Sequence, residues 1–345
     1  MKYSFYADYS EGAHPEILKY LVENNDAQDL TYGYDSFCAL AADRIRDTFG
    51  LPNADVQFLP AGTITNVVGL SSMLKPFQSV VSPITGHINV HETGALEATG
   101  HKINYFETSD GKITTDIIQA ALDVYEDEHT VVPKAVYMTQ STEVATLYSK
   151  SEFEKIVKYA KEKDLYTFVD GARLPMAFAS SLNDMTPKEF GALGFDMFYI
   201  GGTKNGGLFG EALVIVNEDL QKDIRHYMKR QGAISGKARS IGSQFARFFD
   251  KDELWLQCAK HACEAAHSLY EGMAALGAEF EHESSVNQVF PILEISVIEK
   301  LEKDYGFYRY EKVGETKQKI RLVTSWATPQ SVVDEFLKVL ASIIA

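Results

Sequence analysis

The chain has 345 residues, 45% apolar and 23% charged, which predicts a folded protein with a sizeable core, room for one large domain and space for a smaller one. Its 48 acidic against 33 basic side chains leave a net charge of −15, which argues against charge-driven binding to nucleic acid or to an anionic membrane. No apolar run approaches a membrane span, and the opening MKYSFYADYSEG lacks a signal-like stretch. The three cysteines (Cys38, Cys258, Cys263) do not make a disulfide framework, so the expectation is a cytoplasmic enzyme or binding protein.

A tyrosine-rich start (Tyr3, Tyr6, Tyr9, Tyr32, Tyr34) reads as an aromatic-tolerant pocket or as interface packing, with packing the expectation. The first strand is expected at Val56–Leu59. It turns through Ala61, Gly62 and Thr63 into a helix over Ile64–Leu74. Strands follow at Val80–Ser82 and Ile103–Phe106, and the acidic cluster EDEH, Glu126 to His129, reads as a solvated helix end. A strand at Ala135–Met138 leads to the clearest helix, Ser151–Asp164, with a capping serine, an acidic first turn and terminal lysines. Strands at Tyr166–Val169, Met197–Ile200 and Ala212–Val216 complete the series. Strands alternating with helices predict an α/β fold with a large, mostly parallel sheet covered on both faces. Ligands of such sheets sit at the carboxyl ends of the strands.

Near Asp250 the texture changes. A long helix is expected over Glu253–Leu276, then a small sheet from VFPILEISV, FYRYEK and IRLVTSW, then a closing helix in PQSVVDEFLKVLASII. The expected division is residues 1–250, a large domain with an N-terminal arm, and residues 251–345, a small α/β domain. Cys258, His261 and Cys263 lie close in sequence, but helical spacing turns Cys263 away from the other two and no second ligand cluster accompanies them. Ordinary helix packing is expected there, with no metal site.

The stretch FDMFYIGGTKNGGLFGEALVIVN sets one lysine, Lys204, among glycines between two buried strands. Three readings stand: a solvated hairpin tip, a phosphate loop whose Thr203-Lys204-Asn205 order does not fit, and a lysine that forms a Schiff base. FVDGARLP places Asp170 at another strand end, one strand–helix–strand unit before Lys204, as a structural ion pair or as two ends of a bound cofactor. Gly62 and Thr63 at a helix start suit a phosphate, and His87 follows the strand around Val80. Together these parts meet the needs of pyridoxal 5'-phosphate: an imine-forming lysine, a carboxylate for the ring nitrogen, a phosphate seat and a flat partner for the ring. An amino-acid substrate then needs an arginine, for which Arg173 and Arg321 are candidates.

On DGARL, GGTKNG, TQSTEVATLY, YADYSEG, TYGYD and IRLVTSWAT the chain resembles the L-threonine aldolases, in particular the low-specificity L-threonine aldolase and phenylserine aldolase branch, over nearly its whole length. The resemblance implies the fold type I architecture of aspartate aminotransferase and a homodimer or homotetramer with shared active sites. It also implies retro-aldol cleavage of L-threonine, L-allo-threonine or related β-hydroxy-α-amino acids to glycine and an aldehyde. Lys204 would bind the cofactor covalently, Asp170 would meet the pyridine nitrogen, Gly62 and Thr63 would hold the phosphate, and His87 would stack on the ring. Arg173, Arg321 and Ser10 would grip the substrate carboxylate. Tyr32 would reach a neighbouring subunit's site, with Lys229 or Arg230 reaching the phosphate from the partner. Where many relatives carry a histidine, this chain has Thr142, so the general base is His87, a water it orients, or an acid such as Glu143. A β-eliminating lyase, an aminotransferase and a non-catalytic cofactor-binding protein are the competing readings.

Overall fold

The computed structural model describes residues 1–125 and 127–344; Glu126 of the expected helix end and Ala345 of the expected small domain lie outside them. Its strands are β1 (Tyr3–Ser4), β2 (Asp55–Leu59), β3 (Gln78–Pro83), β4 (Lys102–Phe106), β5 (Val132–Thr139), β6 (Tyr166–Asp170), β7 (Met197–Gly201), β8 (Glu211–Ile215), β9 (Glu279–Phe280), β10 (Gln288–Val289), β11 (Pro291–Glu294), β12 (Tyr305–Gly306), β13 (Tyr308–Val313) and β14 (Lys317–Val323). Each of the seven strands expected before residue 250 is present, with its ends shifted slightly.

Those seven form one sheet in the order β2-β8-β7-β6-β5-β3-β4. The neighbours from β7 to β4 are parallel, while β8 runs antiparallel to both β7 and β2. The reversal follows from the link. Residues 202–210 are too short a stretch for a crossover helix, so β7 and β8 close as a hairpin. The hairpin reading of the Lys204 segment is therefore correct in topology, but Lys204 is partly buried rather than a solvated tip.

Side-chain alternation along each strand sorts the core into two layers. Val81, Val136, Met138, Val169, Phe198 and Val214 face one layer, and Val80, Ala135, Tyr137, Phe168, Met197, Tyr199 and Leu213 face the other. The second layer receives the helix Gly62–Met73, which is buried nearly all round because it is packed between sheet and neighbours. By the same period of two, Asp170 at the end of β6 shares a face with Phe168, and hence with Tyr137 and Tyr199. Gly171 follows at once, where a Cβ would stand 1.8 Å from the Tyr199 carbonyl oxygen, so only glycine lets β6 and β7 approach here.

The expected helix Ser151–Asp164 is present as Lys150–Glu162, but its cap is Ser149. The Ser149 hydroxyl accepts the Glu152 amide and the Glu152 carboxylate accepts the Ser149 amide, a reciprocal box that Ser151 could not form with that register.

A smaller sheet, β10-β14-β11-β9 with β13 on β14, packs with the helix Gln330–Ile344. The helix Leu254–Ala275 joins the two cores: Trp255 and Cys258 belong to the large one, while Ala265, Leu269 and Met273 belong to the small one. The N-terminal arm packs with the smaller sheet. β1 pairs with β12, and Phe5 is fully buried beside Tyr305 and Phe336. Cys258 and Cys263 are buried and free, His261 Nε2 bonds to the Thr328 carbonyl, and no metal-ligating cluster exists among the described residues. No helix among the described residues is long and apolar enough to cross a membrane.

Candidate active site

The carboxyl ends of β5, β6 and β7, the start of the helix Gly62–Met73 and the β7–β8 link enclose a cavity of about 300 Å³. Gly62, Thr63, His87, Glu143, Asp170, Arg173 and Lys204 all line it, so seven of the residues expected from sequence converge on one space. Ser10, Tyr32 and Arg321 are not in its wall. The Ser10 hydroxyl instead donates to the Ala7 carbonyl at 3.3 Å, while Tyr9 beside it does reach the cavity.

Asp170 is the most constrained group. One oxygen accepts the Tyr199 hydroxyl at 2.6 Å and the Ala172 amide at 3.0 Å; the other accepts the Tyr137 hydroxyl at 2.7 Å and Asn66 Nδ2 at 2.9 Å. Burial works to raise its pKa, yet His87 and these donors outweigh it and hold the carboxyl below its usual range. Asp170 is therefore an anion held ready at neutral pH. Asn66 also donates to Glu92 Oε1 at 2.7 Å, and His87 Nδ1 lies 2.8 Å from the same oxygen, so one chain of bonds links the His87 ring to Asp170. The His87 amide in turn donates to Glu143 Oε1 at 2.8 Å.

Lys204 sits in a 3₁₀ turn, Thr203–Asn205. Burial and the nearby Arg173 guanidinium push its pKa down, against the pull of Asp8, Asp170 and Glu211. A lowered pKa enlarges the neutral, nucleophilic fraction of an amine. Two acids in the wall move the other way. Glu143 is raised to about 7, chiefly by burial and then by Asp170, and Glu211 is raised to about 7, chiefly by burial.

Arg173 does not present an open fork. Its Nε and Nη2 clamp the two oxygens of Asp8, at 2.8 and 3.1 Å, and Asn287 Nδ2 adds a third bond to Asp8 at 2.8 Å. Asp8 is fully buried, so this pair ties the N-terminal arm to the end of β6 and leaves the Nη1 side of Arg173 for a ligand. Asp8 is held below the normal carboxylate range because Arg173 and Lys204 overcome its burial. The Asp8→Asn variant should lose roughly 3–5 kcal/mol of unfolding free energy at pH 7, since it leaves a buried guanidinium without its counter-charge. A depressed folded pKa means the contribution is present above the unfolded value near 4 and is lost as pH falls through the folded value. Urea melts of wild type and variant should therefore diverge at pH 7 and converge in acid; equal midpoints at pH 7 would remove the pair from the stability account.

Arg321 on β14 has no acidic partner among the described residues; its Nη2 donates to the Tyr6 carbonyl at 3.4 Å. Its guanidinium stacks over Tyr308 and Tyr310 at 4.9 and 5.7 Å, and its buried Nε has no hydrogen-bond partner among the described residues. Tyr32 is exposed, adopts a left-handed φ of 60° and lies beneath the Lys229 ammonium at 5.3 Å; Arg230 follows in the same helix end.

The wall suits pyridoxal phosphate. The helix Gly62–Met73 begins without a side-chain cap, so its first amides are free for an anion, beside the Thr63 hydroxyl. A lysine of lowered pKa, a locked carboxylate and a flat imidazole border the same space. Sequence reasoning missed Asp8, Asn66, Glu92, Tyr137, Tyr199, Thr203 and Glu211. The available signal was a buried-looking polar residue inside an apolar pattern, as with Asn66 in TITNVVGL and Glu211 heading EALVI.

Residues 10–296 match the family described as Beta-eliminating lyase. A low specificity L-threonine aldolase of Pseudomonas aeruginosa is 32% identical over 94% of this chain and 93% of its own. A solved threonine aldolase from Leishmania major superposes with a TM-score of 0.97 at 42% identity, covering 99% of this chain and 100% of that one. A mutant aspartate aminotransferase of Thermus thermophilus, 14% identical with a TM-score of 0.72 over 99% of this chain and 91% of its own, shares the fold alone.

Proposed function

The chain belongs to the beta-eliminating lyase family, with the low-specificity L-threonine aldolases among its relatives, and from this premise we propose that it cleaves β-hydroxy-α-amino acids to glycine and an aldehyde. The observation that carries the reading is a lysine of lowered pKa and a locked carboxylate in one cavity, beside an uncapped helix start. Pyridoxal 5'-phosphate, when bound, supplies the sink for the electron pair released from the Cα–Cβ bond. The protein supplies everything else. Lys204 Nζ would hold the cofactor covalently, the Asp170 charge would favour a proton on the ring nitrogen, Gly62 and Thr63 would hold the phosphate, and the His87 ring would cover one face.

The substrate carboxylate falls to Arg321, whose Nε lacks a partner among the described residues, and to the Nη1 side of Arg173. Ser10 joins that grip only by leaving the Ala7 carbonyl. The proton of the β-hydroxyl goes to Glu143. Its Oε2 is buried without a partner among the described residues, it lines the cavity, and a pKa raised to about 7 lets it exchange a proton at neutral pH. Tyr32, Lys229 and Arg230 form an exposed group that we assign to the site of a second copy of the chain, which makes the enzyme a homo-oligomer. A cytoplasmic setting is part of the same reading, supported by three free, buried cysteines.

The family description itself favours one competitor, β-elimination. Product analysis with L-threonine, L-allo-threonine and L-phenylserine separates the two. Glycine with the matching aldehyde is the expected result. Ammonia with a 2-oxo acid as the main product would overturn the aldolase reading and leave the cofactor site standing.

A further inference from the structure

Glu211 opens β8, opposite Gly201 of β7 and Leu59 of β2, and lines the same cavity as Gly62, Thr63, Thr203 and Lys204. Its Oε2 accepts the Gly202 amide at 2.8 Å and its Oε1 lies 2.9 Å from the Thr203 hydroxyl. Thr203 Oγ1 also accepts the Gly210 amide at 3.0 Å. A hydroxyl has one hydrogen and two lone pairs. While Glu211 is ionised, the single hydrogen of Thr203 is spent on it and none points into the cavity. A carboxylate here is also electrostatically misplaced. Asp170 and Glu143 already line the space, and a phosphate monoester brings close to two further negative charges.

We propose that Glu211 takes up a proton as the cofactor phosphate settles on Gly62 and Thr63, and that this proton turns the Thr203 hydroxyl from a donor to Glu211 into a donor to the phosphate. The inference rests on the cofactor seat proposed above. The proton comes from solvent and resides on Oε1, which then donates to the Thr203 oxygen. The Gly210 amide keeps the second lone pair of that oxygen, the Gly202 amide keeps Oε2, and the Thr203 hydrogen is released to rotate into the cavity. Nothing is oxidised or reduced.

The titratable groups facing Glu211 are Lys204 on its own link, Asp170 on β6 and Tyr199 on β7, while β2 presents the Leu59 backbone. Burial lifts the Glu211 pKa to about 7, against the Gly202 amide, the Thr203 hydroxyl and Lys204, so the proton is available near neutrality. Phosphate raises the pKa further in the complex. Affinity for a phosphate-bearing ligand is therefore greatest below pH 7. It falls as pH rises through that value, by tenfold per unit at most, until the pKa of the complex is reached.

The test uses pyridoxine 5'-phosphate, which has no aldehyde to react with Lys204, titrated by fluorescence into the full-length, cofactor-stripped protein from pH 6 to 8.5. In Glu211→Gln the amide copies the protonated acid, donating to Thr203 and accepting from Gly202. Wild type and Glu211→Gln should bind equally at pH 6, and the wild type should bind about tenfold more weakly at pH 8.5. Thr203→Val should lose the low-pH affinity. Pyridoxine without phosphate should show no divergence between wild type and Glu211→Gln. Should Glu211→Gln fail to fold, calorimetry on the wild type at pH 8 decides: the phosphate ester should draw in more protons per site than pyridoxine does. A wild-type to variant ratio that stays constant with pH, a divergence equal for both ligands, or equal proton uptake overturns the proposal. Absence of any binding to the wild type would instead remove the cofactor seat beneath it.

Discussion

Lys204→Ala is expected to abolish turnover, by on the order of 10⁴-fold or more, and with it every trace of cofactor fixed to the chain by borohydride. The size of the effect follows from the surroundings of the amine. Burial and the Arg173 guanidinium disfavour its charged form, while Asp8, Asp170 and Glu211 pull the other way. The result is an amine that stays near three carboxylates yet gives up its proton more readily than a surface lysine. No other lysine among the described residues lines this cavity, so alanine here is not rescued by a neighbour. The measurement is the visible absorbance of the bound cofactor and the mass of the chain after borohydride reduction. If the variant still gains the cofactor mass, a different lysine is the anchor and the reading of the β7–β8 link fails. Cofactor held by the variant only non-covalently, and lost on gel filtration in phosphate buffer, is the outcome that fits.

Much of this was legible in the sequence because it is local. The alternation of VVS, AVYM, YTFV and MFYI with amphipathic stretches gives the strands of the large sheet, and strand ends carry the chemistry in such folds. Asp170 ends an apolar run, and Lys204 follows one after two glycines and a threonine, so both stand out in the sequence. The partners that define their chemistry were not legible, since they arrive from far along the chain. Asn66 meets Asp170 across 104 positions and Asp8 meets Arg173 across 165. Tyr137 and Tyr199 read as strand aromatics, because nothing in an apolar run tells which hydroxyl will find an acid. Arg173 shows the limit most plainly. Its motif suggests an open fork for a substrate, and only the folded arm reveals that Asp8 already fills it. The reversed strand β8 illustrates the opposite case, where the length of the link alone fixes direction although the alternation pattern is silent.

The second large effect is expected at Asp170. Asp170→Asn should keep cofactor but lower turnover on the order of 10³-fold, because a neutral amide cannot hold a proton on the ring nitrogen and the electron sink weakens. The hydrogen-bond network adds a reason why no neutral group fits well. All four contacts to Asp170 come from donors: two tyrosine hydroxyls, the Ala172 amide and Asn66 Nδ2. An asparagine must point its NH₂ at one pair of them. The Ala172 amide cannot turn into an acceptor, so the NH₂ is forced toward Tyr137 and Asn66. Tyr137 can rotate its hydrogen away. Asn66 could flip to offer its oxygen, which has no partner among the described residues, but that oxygen would then stand where Glu92 is receiving a hydrogen bond. The strain passes through Glu92 to the His87 ring, so the variant should also shift the absorbance of the bound cofactor. Cofactor content measured after release in alkali, set beside the rate of aldehyde formation, separates electronics from binding. A variant that is fully loaded and turns over at near the wild-type rate would take Asp170 out of the mechanism and reduce its four donors to a structural knot.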